Sequence, residues 1–297
     1  MKTRNIFFTL AILVVVHTAS AAPAEGFFLP DSVKEVTFKY KSVNNLIVLP
    51  VRINDNEIVN LVLDTGCRNL ILFGKRFRDM IGPDNREIIF SGLGTGKPAK
   101  GYVTLENHVT FSKVTGKRIP IVVVPERNVF ANYPGIHGII GYELFMKFEV
   151  EINFAQQQIT FRPAMFAFPP AGFHLIPLRI EDSRPIVSCV ISFDDDQEEI
   201  CDLLIDTGSS LGLLFTAPQP KNRSRARTVL GRGVNGYLSG QKLVASKVTF
   251  GNFSLHDLPA GVVTSNTHHY ASLGTEVLKD FTLLINYHKS YAGLRQA

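Results

Sequence analysis

The sequence predicts an all-β protein built from two similar lobes, and three observations support this prediction. The order of motifs in the first half of the chain recurs in the second half, which indicates an internal repeat. Apolar runs are short and are separated by Asn, Asp and Gly, as is typical of β-strands joined by tight turns. Stretches with the 3.6-residue period of a helix are scarce.

The composition is that of a folded protein. The chain has 297 residues, of which 45% are hydrophobic and 19% are charged, and this balance excludes an intrinsically disordered chain. The length suits one large domain or two of ordinary size. The formal net charge of +5 is too small for a strong nucleic-acid footprint. We therefore expect no nucleic-acid partner.

The N-terminus has the layout of a secretory signal peptide. Lys2 and Arg4 precede an apolar stretch over 6–16, and Ala19-Ser20-Ala21 is a small-residue cleavage site. The apolar stretch falls short of the roughly 20 residues that a spanning helix needs, although an uncleaved membrane anchor is the alternative. We predict a signal peptide over 1–21 and an exported protein, periplasmic or extracellular, without membrane attachment once the peptide is removed.

The first repeat begins with a predicted hairpin. Residues 46–53 and 57–63 are apolar runs on either side of Asn54-Asp55-Asn56, which is a typical hairpin turn sequence. Further strands are predicted over 121–124 and 148–152. Short helices are expected after Gly141 and after Gly274.

The repeat itself is divergent but consistent in order. Leu61-Val62-Leu63-Asp64-Thr65-Gly66 recurs as Leu203-Leu204-Ile205-Asp206-Thr207-Gly208, shifted by 206 − 64 = 142 positions. Gly-rich stretches over 92–101 and 231–240 follow in each half. Prolines and a glycine between 163 and 172 mark a linker. We therefore predict an N-terminal lobe over 22–162, a linker over 163–173 and a C-terminal lobe over 174–297.

The repeated tripeptide Asp-Thr-Gly points to hydrolytic chemistry. A single copy would be ordinary turn chemistry, but each copy follows three apolar residues at the same place in its repeat. Two facing carboxyls cannot both ionise comfortably, so they share one proton. The ionised group can then act as general base on a water while the protonated group polarises a carbonyl. Asp64 and Asp206 are thus candidates for a catalytic pair that hydrolyses amide bonds.

The paired motif, with Ile139-Ile140-Gly141 and Ser272-Leu273-Gly274 later in each half, resembles the aspartic peptidase superfamily of pepsin and the retroviral proteases. The resemblance implies two similar pepsin- or retropepsin-like β-barrel lobes with the active-site cleft between them, and catalysis by Asp64 and Asp206. It implies that Thr65 and Thr207 hydrogen-bond across the lobe interface. It implies support of the active-site loops by these threonines together with Gly66, Gly208 and Ser209.

The resemblance also implies a flap in each lobe, as in a retroviral dimer fused into one chain. We expect the flaps to hold an extended polypeptide substrate as an added strand, with contacts from Gly94, Gly96, Gly233 and Gly236. We expect no metal, no cofactor and a monomeric protein. The predicted function is that of an aspartic endopeptidase. The alternative is a catalytically inactive peptide-binding protein of the same fold, since Cys67 and Ser272 depart from the usual pattern.

The residue after each motif differs between the halves. Ser209 has a hydroxyl that can donate to Asp206, whereas Cys67 has only a weak S–H donor. This difference suggests the hypothesis that Asp206 is the better stabilised anion. The alternative is that Cys67 simply packs beside its strand.

The other two cysteines flank an acidic turn. Cys189 and Cys201 are each six residues from Asp195, so a symmetric hairpin sets them opposite each other. A cross-strand disulfide suits an exported protein. Two small buried thiols are equally consistent with the sequence.

Overall fold

The structure is a computed structural model, and it describes residues 25–56, 58–90, 96–193, 198–217, 228–233, 236–264 and 271–296. The predicted signal peptide and Gly94 lie outside the described residues. No helix within the described ranges is long and apolar enough to cross a membrane.

The first half of the chain contains twelve of the strands, a 3-10 helix and a one-turn α-helix. They are β1 (Gly26–Phe28), β2 (Val36–Lys39), β3 (Lys41–Val43), β4 (Leu46–Ile53), β5 (Ile58–Leu63), β6 (Leu70–Phe73), the 3-10 helix (Lys75–Met80), β7 (Arg86–Phe90), β8 (Ala99–Phe111), β9 (Val114–Val124), β10 (Gly138–Ile140), α1 (Tyr142–Phe145), β11 (Phe148–Asn153) and β12 (Gln158–Pro163).

The second half repeats much of this order. It contains β13 (His174–Pro177), β14 (Arg179–Glu181), β15 (Arg184–Ser192), β16 (Glu198–Asp206), β17 (Leu213–Ala217), β18 (Thr228–Gly233), β19 (Gly236–Phe250), β20 (Phe253–Thr264), β21 (Ala271–Gly274), α2 (Thr275–Leu278), β22 (Phe281–Asn286) and β23 (Tyr291–Gln296).

Each half forms a barrel-like sheet. In the first half, nine strands follow the order β1-β9-β6-β10-β5-β4-β8-β7 with β3 added on β4, and the pairing of β8 with β9 closes the path. In the second half, eight strands follow the order β14-β15-β16-β21-β17-β20-β19-β18, and the pairing of β15 with β19 closes it. The prediction of an all-β protein with two similar barrel-like lobes is confirmed.

A third sheet joins the halves. Its six strands follow the order β13-β23-β22-β11-β12-β2, so three come from each half. At its centre β11 and β22 are antiparallel, with Val150 opposite Ile285 and Ile152 opposite Leu283. Because the two strands occupy equivalent places in the repeat, this register relates the halves by an approximate two-fold rotation.

The core follows from this arrangement. One cluster of buried apolar side chains runs through both halves and includes Ile47, Leu61, Phe148, Leu203 and Leu283. These residues lie on strands of both barrels and of the joining sheet, and their burial removes apolar side chains from water. The shared core and the shared sheet hold the two barrels in a defined relation.

Two local predictions concern hairpins. β4 and β5 pair as predicted, with Asn54 and Asp55 at positive φ in the turn. Cys189 and Cys201 are direct cross-strand partners on β15 and β16, as the symmetric hairpin requires. They are present as free thiols, and the Cys189 Sγ–H donates to the Cys201 carbonyl at 3.4 Å.

Candidate active site

The two Asp-Thr-Gly segments lie at equivalent places in the barrels. Asp64 directly follows β5, and Asp206 is the last residue of β16. A parallel strand lies beside each one, with β10 next to β5 and β21 next to β16. The apolar residues before each motif are buried in the barrels, so each Asp-Thr-Gly segment leaves the core at the equivalent end of its lobe.

Each loop is held by the segment after the parallel strand. The Tyr142 N–H donates to the Cys67 carbonyl at 3.0 Å, and the Thr275 N–H donates to the Ser209 carbonyl at 2.8 Å. Glycine precedes both donors because a Cβ on Gly141 would lie 2.2 Å from the Asp64 carbonyl oxygen, and one on Gly274 would lie 2.3 Å from that of Leu211. These close contacts explain why a glycine ends the segment in both halves.

Thr65 and Thr207 join the two loops through four buried hydrogen bonds. The Thr65 N–H donates to Thr207 Oγ1 at 3.1 Å, and the Thr207 N–H donates to Thr65 Oγ1 at 3.0 Å. The Thr65 hydroxyl donates to the Ile205 carbonyl at 2.5 Å, and the Thr207 hydroxyl to the Leu63 carbonyl at 2.8 Å. Both side chains are fully buried, so each hydroxyl satisfies two backbone groups that water cannot reach.

The hydrogen bonds between the two threonine loops bring the carboxyls of Asp64 and Asp206 together. The Gly66 N–H donates to Asp64 Oδ1 at 2.7 Å, and the Gly208 N–H donates to Asp206 Oδ1 at 3.0 Å. Each carboxyl also lies against the glycine of the opposite loop. A Cβ on Gly208 would lie 2.2 Å from the Asp64 Cγ, and one on Gly66 would lie 3.5 Å from Asp206 Oδ1. Glycine at 208 therefore leaves the space that the Asp64 carboxyl occupies, whereas a Cβ at 66 would only touch the Asp206 carboxyl.

The pKa values of Asp64 and Asp206 indicate that the two carboxyls share one proton. Burial raises the pKa of both carboxyls, and the negative charge of Asp206 raises the pKa of Asp64 further. Backbone N–H donors and the Arg184 guanidinium lower both pKa values in part. The pair titrates as a unit in which one carboxyl keeps its proton well above the usual pH range of aspartate.

The expected order of the two aspartates holds, but its expected cause does not. The pKa of Asp206 is raised less than that of Asp64, so Asp206 is the better stabilised anion. The Ser209 hydroxyl accepts from the Leu211 N–H at 3.3 Å, and no hydrogen bond from it to Asp206 is found among the described residues. The Asp206 carboxyl is stabilised by the backbone N–H groups of Gly208 and Ser209. The Cys67 Sγ–H donates to the Asn69 carbonyl at 3.1 Å, and burial raises the pKa of this thiol. Backbone geometry, common to both halves, thus supplies the donors.

Three of the four predicted flap glycines lie within the described residues. Gly96 lies at a bend shortly before β8, in the connection from β7. Gly233 and Gly236 are paired across β18 and β19. Gly94 is outside the described residues.

Sequence reasoning missed Tyr287 and Asn45. The Tyr287 hydroxyl donates to the Thr65 carbonyl at 3.3 Å, and its ring stacks on Phe145 at 5.3 Å between centroids. The Asn45 amide donates to the Glu276 carboxylate of the other half at 2.8 Å. Asn45 belongs to a visible Asn-Asn turn, but no local signal marks Tyr287, because Phe154 takes its place in the first repeat.

Glu143 is the counterpart of Glu276 but lacks such a bond. One of its carboxyl oxygens, Oε2, is buried and has no hydrogen-bond partner among the described residues. Burial raises the pKa of Glu143 to about 7. Glu143 therefore keeps its proton to a higher pH than an ordinary glutamate does.

Residues 49–144 match a family model described as aspartyl protease. The matched range runs from β4 to α1 and contains Asp64 with its loop. The match supports the aspartic peptidase superfamily and, in general terms, a protease function. A search of curated proteins finds no match.

Proposed function

We propose that the protein is an aspartic endopeptidase that hydrolyses peptide bonds of extended polypeptides with Asp64 and Asp206 as its catalytic pair. The observation that carries the proposal is the approach of the two carboxyls, each lying against the glycine of the opposite loop. Two such groups with raised pKa values meet the requirement for a general base and a proton donor in one site.

The chemistry follows from one proton shared between two carboxyls. The ionised carboxylate takes a proton from water, and the water oxygen attacks the carbonyl carbon of the peptide. The protonated carboxyl donates a hydrogen bond to the carbonyl oxygen, where negative charge develops. The tetrahedral intermediate then collapses, the C–N bond breaks, and the proton that the first carboxylate took from water moves to the leaving nitrogen. That carboxyl is then ionised again and the other still holds its proton, so the pair is ready for the next cycle.

The proposal includes the substrate and the cellular setting. The β7–β8 and β18–β19 hairpins would cover an extended peptide and exclude water during the reaction. Because one chain supplies both aspartates, a monomer suffices. The N-terminal sequence pattern supports export to the periplasm or the outside of the cell.

The test is cleavage of a peptide library by the protein and by Asp64→Asn and Asp206→Asn, from acid to neutral pH. We expect both variants to lose activity by about 100-fold or more, because acid–base catalysis contributes on this scale. Asp79→Asn is the matched control, since Asp79 is exposed on the 3-10 helix. Peptide binding without cleavage by the folded parent protein would instead establish the non-catalytic alternative.

A further inference from the structure

The residue that faces each aspartate across the sheet differs between the halves. β4 pairs with β5 with Val48 opposite Val62, and continuing this register by two residues sets Leu46 opposite Asp64. β15 pairs with β16 with Ile186 opposite Leu204, and the same continuation sets Arg184 opposite Asp206. Residues opposite each other in an antiparallel pair share one face of the sheet. Arg184 therefore lies on the face that carries the Asp206 carboxyl.

The two positions have opposite character. Leu46 is buried in an apolar cluster with Val48 and Val62. The Arg184 side chain is 31% exposed, and its guanidinium donates to the Asp182 carboxylate at 2.8 Å. A guanidinium carries several N–H donors, and this bond uses one of them. The approximate two-fold symmetry of the site is thus broken by one cation beside Asp206.

A second arginine joins this cation from the other half. Arg68 comes four residues after Asp64, and its guanidinium lies 3.6 Å from the Asp182 carboxylate. Arg68 and Asp182 are 68% and 61% exposed, so solvent and ligands can reach them. Arg184 and Arg68 share one aspartate, so these three residues carry one more positive than negative charge. Glu181, which lies opposite Arg184 across the strands, is paired with Arg179.

The charge acts on the site itself. The Arg184 guanidinium lowers the pKa of Asp64, Asp206 and Cys67, which is consistent with its position beside the loops. No comparable cation stands at the Leu46 position of the first half. A peptide lying over the two aspartates would therefore have a cation, Arg184, beside Asp206 and no charge at the equivalent position beside Asp64, where Leu46 is buried.

We propose that Arg184, together with Arg68 and Asp182, forms a carboxylate-binding subsite that selects peptides with Asp or Glu close to the scissile bond on one side. This inference rests on the proposed function and adds a substrate preference to it. Arginine suits the role because its planar guanidinium binds carboxylates through paired N–H donors. Asp182 positions the Arg184 guanidinium, and its single negative charge cannot neutralise both Arg184 and Arg68.

The test uses pairs of fluorogenic peptides that differ by Glu or Gln at one position, with each position around the scissile bond taken in turn. We expect the parent protein to prefer Glu about 10-fold in kcat/KM at one position, as charge-assisted hydrogen bonds allow. Arg184→Leu, which copies the first half, should bring the Glu-to-Gln ratio to about one. Arg184→Glu should instead prefer a third peptide, with Lys at the same position, over the Glu peptide.

Arg179→Leu is the matched control. Arg179 lies on the adjacent strand β14 and pairs with Glu181 and Asp202, so its removal should leave the Glu-to-Gln ratio of the parent. The same ratio in the parent and in Arg184→Leu would overturn the subsite and leave the proposed function standing. A higher salt concentration should lower the Glu-to-Gln ratio of the parent, because the ion pair between Arg184 and the substrate carboxylate is partly exposed to solvent.

Binding separates this inference from the proposed function. The same peptide pairs are titrated into the Asp64→Asn variant, and fluorescence anisotropy reports the dissociation constants. If the parent cleaves no peptide, the proposed function fails, but tighter binding of the Glu peptide that is lost on Arg184→Leu still supports the subsite. Equal binding of both peptides, or no binding of either, overturns the subsite.

Discussion

The hydrogen bonds between the two threonines predict a large loss of stability in Thr207→Val. Valine has nearly the shape of threonine, so the substitution removes the hydroxyl without leaving a cavity. Two backbone groups then lose their partner, namely the Thr65 N–H and the Leu63 carbonyl, which lie 3.1 and 2.8 Å from Thr207 Oγ1. Each is buried where water cannot replace the hydroxyl.

The magnitude follows from these two groups. An unpaired buried donor or acceptor costs about 1–3 kcal/mol, so we expect Thr207→Val to lower the free energy of unfolding by about 2–6 kcal/mol. Thr207→Ser keeps the hydroxyl and loses one methyl group, which costs about 1 kcal/mol. The measurement is urea unfolding of the three proteins at one pH, followed by circular dichroism.

Thr160→Val is the matched control for the substitution itself. The Thr160 hydroxyl is paired at 2.8 Å with Thr37, whose side chain is exposed and can turn to water. We expect this control to lose about 1 kcal/mol or less. The reasoning is refuted if Thr207→Val costs no more than Thr160→Val while the slope of the unfolding curve stays the same.

Two further predictions concern charge and space at the loops. The pKa of Glu143 is raised from an ordinary value of 4.5 to about 7, so its contribution to stability is present at low pH and is lost as the pH rises through 7. We therefore expect the free energy of unfolding of Glu143→Gln, relative to that of the parent, to rise by about 1–3 kcal/mol between pH 5 and pH 8, as measured by urea unfolding. A difference between the two proteins that stays constant with pH would contradict this assignment. Gly208→Ala would place a Cβ 2.2 Å from the Asp64 Cγ, so it should lower peptide cleavage by about 100-fold or more through displaced carboxyls. Gly82→Ala, with 3.4 Å of clearance, should retain activity, and equal activity of the two alanine variants would contradict the steric argument.

Local sequence signals predicted the repeated framework well. The three apolar residues before each Asp-Thr-Gly indicate a buried strand, and a buried strand that ends in Asp-Thr-Gly must leave the core at that point. The Asn54-Asp55-Asn56 turn predicts the β4–β5 hairpin, because few other residues tolerate positive φ. The shared order of motifs then predicts two lobes of the same kind.

Other predictions depended on a choice that the sequence left open. Cys189 and Cys201 could lie opposite each other only in a symmetric hairpin, and β15 and β16 have that register. The Ser209 hydroxyl accepts from the nearby Leu211 N–H, and the hydrogen bond to Asp206 that the sequence suggested is not found among the described residues. Several donors and acceptors compete within one loop, and only the three-dimensional path of the backbone selects between them.

Patterns among neighbouring residues were enough to predict the β class, the repeat and the two Asp-Thr-Gly motifs, because each depends on residues that are close together in the chain. The groups that meet from distant parts of the chain could be found only in the folded protein. Tyr287 reaches the Thr65 carbonyl across 222 residues, and Asn45 reaches the Glu276 carboxylate across 231 residues. Such contacts are set by strand pairing and by the packing of one half against the other, and no local pattern encodes either.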